Sequence, residues 1–576
     1  MKKQFNYYEV GHIEDSTSLY HSVLRSRGLN EDDVNLLVNT PKECVEDWRH
    51  LNNIENGVDL LTQALNEDWK IGLLVDCDVD GITSSAQFYR YLIKCKPDIK
   101  ITLLHHSGKQ HGLSDDIVIP KDIQLLCILD AGSNNIKEEK ELVDRGVKVL
   151  VIDHHLIEED WEEVRGVVLI NNQQSPKYKN KSISGSGVTY KFLKAMDNKL
   201  GANFAEDYID LAGMGCLGDI MDGTALDTRY IMNCSVNINM IKNPFMKLLI
   251  QEKILKSGKL NLTSLAWNVI PTINSVMRLG TMQERLAVFN AFISDDEQVI
   301  KDGLKKANSC KSRQDRQKKK ALEMCKQYIE SNNLTEYPII AIDVTDLYDD
   351  SGLNGVVANA LGSEYNRPIV VVGGRDEIVR GSCRNTNEEL IPNFKKWCMN
   401  SGLFEANLGH ENAHGCIIKK DNLQKIMELG KEQLGTSTEI EKTYAVEKAI
   451  DFSKLNKKDV IAIGKLEDLW CTNIKEPIFL VKNVKINSAK VERLGSRNNV
   501  LRFKVGDFTF IKMFLSGEFY DRITLKDKKA FGSINLKMDV LCKFKANEWE
   551  GNVYPQMEVI DITSEEDSIV DLSDIF

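Results

Sequence analysis

The sequence predicts an α/β protein: a parallel-sheet domain, joined by a long helix to a smaller α/β domain, followed by an all-β barrel. Three observations carry this. Near-continuous apolar runs alternate with helical patterns from residue 71 to about 170, as expected of strands covered by helices on both faces. A charged stretch of helical period fills residues 282–330. From residue 478 the chain turns to short β-like runs separated by tight turns.

At 576 residues the chain is too long for one core, so three or four domains are expected. A charged fraction of 28 % and an apolar fraction of 42 % are those of an ordinary soluble protein. No apolar run approaches the ~20 residues that span a bilayer, and the start, Met-Lys-Lys-Gln-Phe-Asn, lacks the apolar core of a signal peptide. The 13 cysteines show no Cys-x-x-Cys pair, which fits reduced thiols and not disulfides or a zinc ribbon. A cytoplasmic protein with no membrane contact is expected. The formal charge of −11 means that any nucleic-acid contact comes from local positive patches.

Residues 1–70 read as a helical lead, with helices over 16–24, 32–37 and 58–65. Strands follow at 71–75, 101–104, 125–129, 147–152 and 167–170, within a domain spanning 71–281. The first strand empties into Asp76, Asp78 and Asp80, after which Gly81, Thr83, Ser84 and Ser85 open a helix over 86–93. Three carboxylates so close repel one another unless a cation sits among them. The third strand ends in Asp130 and the fourth in Asp153, His154 and His155. Parallel strands place their carboxyl ends on one edge, so these groups converge in space. Gly213, Gly215 and Gly218 precede Asp219, the candidate last ligand, with Asp222 as the local alternative. Carboxylates with imidazole and no thiolate suit Mn²⁺ or Mg²⁺ better than zinc. The acids outnumber the needs of one ion, so two are expected, able to generate hydroxide and stabilise in-line displacement at phosphorus.

The segment Asp-Cys-Asp-Val-Asp-Gly, Asp130 in its Asp-x-Gly context, the triplet Asp153-His154-His155 and Gly-Asp219 resemble, in order, the four motifs of the DHH phosphoesterases. Within that superfamily the chain is similar, nearly end to end, to the RecJ single-strand-specific exonucleases. The resemblance implies Asp78, Asp80, Asp130, His154 and Asp219 as metal ligands. It implies His155 at the scissile phosphate, with Asp76 and Asp153 supporting from behind. Residues 271–280 resemble the family's Asn-Ala-x-Gly-Arg element, which implies Asn274 and Arg278 as substrate binders, the arginine on a phosphate oxygen. Met277 stands where the family usually has glycine.

The connecting helix, 282–335, carries Lys305, Lys306, Lys311, Arg313, Arg316, Lys318, Lys319, Lys320 and Lys326. A solvated face is the commoner fate of such a run. The resemblance instead implies backbone contacts to DNA for some of them. In the DHH-associated domain, 336–435, strands over 339–344 and 369–372 bracket a helix over 354–361. The elements Arg380-Gly-Ser382-Cys-Arg384 and Leu408-Gly409-His410 resemble that domain's phosphate-holding motifs. Ser382, Arg384 and His410 are thereby implied as substrate binders, Leu408 replaces a glycine, and His414 is extra to the pattern.

A helical, lysine-rich connector over 421–460 leads into strands 478–486, 500–505, 508–514, 538–544 and 556–562, grouped as a connector and barrel domain over 436–563. Five such strands suit an oligonucleotide/oligosaccharide-binding (OB) barrel, and the element from Ala546 through Trp549 to Gly551 resembles the accessory barrel of RecJ. Lys482, Lys485, Lys490, Arg493, Arg497, Arg502 and Lys504 lie beside Phe503, Phe508 and Phe510, aromatics that either stack bases or fill the barrel. The acidic tail, 564–576, ending in Ile575 and Phe576, reads as a solvated end, a dock for a replication or repair partner, or an occupant of the chain's own groove.

Together these imply a metal-dependent exonuclease on single-stranded DNA, 5′→3′ by resemblance, acting in recombination, repair or replication. The family's Ile-Pro-x-Arg element is replaced here over 104–113, leaving Lys109 or a histidine for 5′-end recognition. The alternatives are a DHH phosphodiesterase on short oligonucleotides or cyclic dinucleotides, and a non-catalytic replication scaffold.

Overall fold

Strands Ile71–Val75 and Leu125–Leu129 are buried at every position, which only a sheet covered on both faces permits. In the computed structural model, which describes residues 5–10, 18–106, 110–114, 117–157, 162–256, 258–435, 443–471, 473–487, 491–494, 500–513 and 535–566, they lie in a five-stranded sheet. Its order is Ile101–His105, Ile71–Val75, Leu125–Leu129, Lys148–Asp153, Val167–Asn171, and every neighbouring pair is parallel. Alternate residues face opposite ways. Leu73, Cys127, Leu129, Leu150 and Ile152 meet Phe88, Tyr91 and Phe192 of the helices Val79–Cys95 and Gly185–Leu200. Leu74, Leu126, Ile128, Val149 and Val151 meet Leu142 of the helix Ile136–Asp144.

Several expectations are corrected. The helix after the first strand starts at Val79, not at 86, because Asp78 caps it and so draws Asp80 into its first turn. The N-terminal lead is not all helical: Asn6–Glu9 is a strand, paired in parallel with Thr443–Val446. The expected single helix over 282–330 is two, Met282–Ile293 and Glu297–Ser331, with Asp296 capping the second. Its basic run is divided. Arg313 is committed to Glu284, Lys311 to Asp315 and Lys326 to Glu364, whereas Lys305, Arg316, Lys319 and Lys320 are exposed.

The second lobe is a five-stranded sheet in the order Phe404–His410, Ala413–Lys419, Ile378–Arg384, Ile369–Gly373, Ile340–Asp343. The pair formed by Ile340–Asp343 and Ile369–Gly373 is parallel, and the three other pairings are antiparallel.

In the last part, the expected helical connector holds the helix Asn422–Leu434 but also the strands Thr443–Val446 and Lys448–Asp451. The second of these edges a seven-stranded sheet, continued by Phe479–Asn487, Asn535–Trp549, Asn552–Glu566, Phe508–Lys512, Val500–Val505 and Glu492–Leu494. Phe503, Phe508 and Phe510 fill its core, with the rings of Phe503 and Phe510 stacked 4.8 Å apart. They are therefore not available to stack bases. The last strand runs beyond 563: Ser564, Glu565 and Glu566 pair with Met538, Lys537 and Leu536. Residues 567–576, Lys109, Lys490 and Arg497 lie outside the described residues. Among the described residues no helix is long and apolar enough to cross a membrane.

Glu284 ties the two helices of 282–331 together, accepting two hydrogen bonds from Arg313 at 2.9 and 2.8 Å. That pairing holds its carboxyl at about 2, below the ordinary 4.5. Because the folded value is depressed, the contribution is complete above pH 4.5 and is lost as pH falls towards 2. Glu284→Gln should lower stability at neutral pH by an amount on the order of 1 kcal/mol or less, the range of partly screened ion pairs. In thermal melts at decreasing pH, the deficit relative to the parent protein should close across that window.

Candidate active site

The three aspartates after the first strand land in three different places. Asp76 is 1 % exposed and lies between imidazoles, with His111 Nδ1 2.6 Å from Oδ2 and His106 Nε2 3.7 Å from Oδ1. Asp78 Oδ1 accepts hydrogen bonds from the N–H groups of Asp80 (3.0 Å) and Gly81 (3.1 Å). Asp80 points inward, where its Oδ1 accepts from Ser184 Oγ at 2.7 Å and from the Ser186 N–H at 3.1 Å. Gly81 is required by close approach, since a Cβ there would stand 2.5 Å from Asp76 Cβ.

Asp130 leaves its strand with φ of 62°, in the left-handed region. Its Oδ1 stands 3.3 Å from His154 Nε2, which is also 3.5 Å from Asp219 Oδ2 and 4.0 Å from Asp80 Oδ2. One imidazole nitrogen thus faces carboxylates from three separate elements. Asp153 is turned the other way. Its Oδ1 accepts from the N–H groups of His154 (2.7 Å) and His155 (3.3 Å) and from His155 Nδ1 (2.7 Å). Its Oδ2 accepts from the Ser133 N–H at 3.0 Å. Asp153 orients the histidine pair. Asp222, the alternative to Asp219, accepts from Thr224 N–H and Oγ of its own turn at 2.8 and 2.7 Å, apart from the cluster.

The electrostatics follow from burial. Burial first, then Asp80 and Asp78, pushes Asp130 well above the ordinary carboxyl range, and the same causes push Asp219 up to about 8. Burial holds His154 down. Asp153 lies opposite His155 and raises it to about 10. Burial works against ionisation of Asp153 itself, but His155 outweighs it and keeps Asp153 well below the usual range. Among the described residues Asp80 Oδ2, Asp130 Oδ1 and His154 Nε2 are buried with no hydrogen-bond partner, and a metal-compatible group joins Asp80, His154 and Asp219. Hard oxygen donors with one imidazole, unsatisfied and converging, fit Mn²⁺ or Mg²⁺.

The helix Ile270–Leu279 brings up Asn274, whose Oδ1 accepts from the Val79 N–H at 3.2 Å and so ties this helix to the aspartate turn. Met277 is 1 % exposed within an apolar cluster, and the helix runs straight through it. Met277 is thus packed as a helical core residue. Arg278 Nε is buried without a hydrogen-bond partner among the described residues, and its charge acts on Arg384 of the second lobe. Arg384 pairs in register with Ala413, and Ala413 with His410; Ser382 pairs with Gly415, and Gly415 with Leu408. Strand parity puts Ser382, Arg384 and His410 on one face. Space is kept for Arg384, since a Cβ on Gly355 would stand 2.9 Å from its Nη2. His414 is out of phase with that row and faces the interior, 5.8 Å from the Phe394 ring.

Sequence reasoning missed the supports. Ser184 and Ser186 hold Asp80. Gln173 Nε2 donates to the His154 carbonyl at 3.1 Å, and Asn171 Nδ2 to that of His155 at 3.0 Å. The run Ser184-Gly-Ser186-Gly187 was the available signal, small residues opening a helix where another chain segment comes close. A Cβ on Gly185 would stand 2.4 Å from Asp130 Oδ1. Gly185→Ala should therefore displace Asp130 and lower Mn²⁺ affinity roughly 10–100-fold, as loss of ligand support commonly does. Calorimetric titration checks this, and unchanged affinity would remove Asp130 from the ligand set.

Comparison with known proteins places the chain in a family. Residues 70–216 match the model of the DHH family, N-terminal domain, and residues 446–561 match the RecJ OB domain. The SPbeta prophage-derived YorK of Bacillus subtilis (strain 168), named as a single-strand DNA-specific exonuclease, is 32 % identical over 562 residues, 94 % of this chain and 95 % of its own. The single-stranded-DNA-specific exonuclease RecJ of the same organism is 20 % identical, over 96 % of this chain and 69 % of its own. In fold, the chain is similar to the crystal structure of RecJ in complex with Mn²⁺ from Thermus thermophilus, with a TM-score of 0.69 at 18 % identity, over 95 % of this chain and 76 % of that one. Full-length similarity at this identity, together with the two matched domain models, makes the chain a member of the DHH family in its RecJ-like branch.

Proposed function

We propose that the chain is an exonuclease that hydrolyses phosphodiester bonds of single-stranded DNA, using Mn²⁺ or Mg²⁺ held by Asp78, Asp80, Asp130, His154 and Asp219. The observation that carries this is the acidic edge itself, where carboxylates from three elements face one imidazole nitrogen. The names of YorK and RecJ as single-strand-specific DNA exonucleases support the choice of substrate.

Divalent ions at such a site supply an activated water and offset charge at phosphorus. The chain's own residues do the rest. Arg278 and Arg384 clamp non-bridging phosphate oxygens, with Ser382 and His410 on the same face as Arg384 and Asn274 holding the helix of Arg278 in place. With Nδ1 on Asp153, His155 presents Nε2, protonated, to the scissile phosphate and can donate its proton to the leaving oxygen. Asp76 and Asp153 position their neighbours. The exposed Lys305, Arg316, Lys319 and Lys320 track the strand's backbone. Cleavage 5′→3′, a cytoplasmic location and a replication or repair partner for the acidic tail belong to the same proposal. These three rest on the resemblance and the sequence.

Digestion of single strands labelled at either end, alongside duplex and a dinucleotide, tests the reading. With Mn²⁺ the expected outcome is degradation of the single strand from its 5′ end, loss with chelator, and only background activity in Asp80→Ala and His154→Ala. Full activity in either variant would remove the assigned site. A dinucleotide cleaved faster than the long strand would point to a short-oligonucleotide phosphodiesterase instead.

A further inference from the structure

The second lobe contains a side-chain cluster that phosphodiester hydrolysis does not use. Cys383 and His414 are directly opposite on neighbouring strands, on the face turned away from Ser382 and Arg384. The helix Phe394–Asn400 lays Cys398 over the same face. The sulfurs of Cys383 and Cys398 and a ring nitrogen of His414 all lie within 4.8 Å of one another. Their residues are 0, 0 and 1 % exposed. Cys416, two residues after His414 and therefore on the same side of its strand, is 4 % exposed.

His414 separates this cluster from an ordinary core of reduced thiols. Among the described residues neither Nδ1 nor Nε2 has a hydrogen-bond partner, although buried imidazoles are nearly always satisfied. An imidazole nitrogen set within 4.8 Å of two sulfurs has a lone pair to offer a metal ion.

We propose that Cys383, Cys398 and His414, with Cys416 as fourth donor, bind a zinc ion that fastens the helix Phe394–Asn400 to the strands Ile378–Arg384 and Ala413–Lys419. A buried set of sulfurs and one imidazole, drawn from three elements, is the donor set of a closed tetrahedral zinc site. It is also unlike the carboxylate edge of the first lobe, so the two centres sort metals by ligand softness. On binding, each coordinating thiol gives its proton to solvent as its sulfur donates to the ion. Arg384 follows Cys383 directly along its strand. Its Nη1 donates to the carbonyls of Cys383 (2.7 Å) and His414 (3.2 Å), so the backbone of two zinc ligands also anchors the Arg384 guanidinium. The ion thereby stiffens the mount of a phosphate-binding residue.

The test uses the full chain, produced with zinc present and then dialysed against EDTA to strip the acidic edge. Elemental analysis should find stoichiometric zinc retained. Replacement by Co²⁺ should give the near-ultraviolet sulfur-to-cobalt charge-transfer band, which the acidic edge, having no thiolate, cannot produce. Both signals should survive in Asp80→Ala and Asp130→Ala, be lost in Cys398→Ser, and persist in His414→Cys. Absence of zinc and of the band from the parent protein overturns the proposal, as does a Cys383–Cys398 disulfide found by non-reducing mass spectrometry. Zinc lost from the aspartate variants but kept by Cys398→Ser overturns it too. Should a cysteine variant fail to fold, the cobalt spectrum of the parent protein decides alone.

Discussion

Mutual repulsion among buried carboxylates is the constraint on which the rest of this structure depends. Two carboxylates about 4 Å apart repel by about 4 kcal/mol in protein-like surroundings, while a whole domain is stable by only about 5–15 kcal/mol. Asp80, Asp130 and Asp219 nonetheless converge on His154 Nε2. The cluster persists because each acid is fastened by an element that is stable for other reasons. Asp130 follows a fully buried strand, Asp80 sits in a capped first turn, and Asp219 ends a helix. The repulsion those elements enforce is relieved by protonation or by cations, and the unpartnered oxygens favour cations.

Two arginines bring the opposite sign, Arg278 from the first lobe and Arg384 from the second, and the charge of one acts on the other. Gly355, Gly185 and Gly81 are the places where backbone makes room for these charged groups. The connecting helix holds its place against the first lobe partly through Arg313 and Glu284. One member of the basic run is therefore structural, while others remain exposed to solvent.

The parallel sheet was legible because its strands are buried on both faces, and nearly continuous apolar runs such as 71–75 and 125–129 admit few other readings. The acidic edge was legible for a related reason: strand direction fixes which end carries the chemistry, so Asp78, Asp130 and His154 could be grouped before any contact was known. What escaped depends on long-range pairing. Asn6–Glu9 is a strand only because Thr443–Val446 lies beside it, and nothing local in four residues says so. The helix start at Val79 turned on whether Asp78 would serve as a cap, which the aspartate triplet disguised. Phe503 and Phe510 could have faced either way, and only the pairing of their strands sends both inward. The serines behind Asp80 and the amides behind the histidines were hidden because a hydrogen bond across 104 residues leaves no periodic trace.

The most direct measurement of the central claim is the anomalous difference map of crystals soaked in Mn²⁺, recorded at the manganese edge. The account predicts density enclosed by Asp78, Asp80, Asp130, His154 and Asp219, resolved into two peaks, and none at the Asp222 turn. An empty acidic edge in crystals of protein whose nuclease activity requires Mn²⁺, or a peak bound elsewhere, would contradict it.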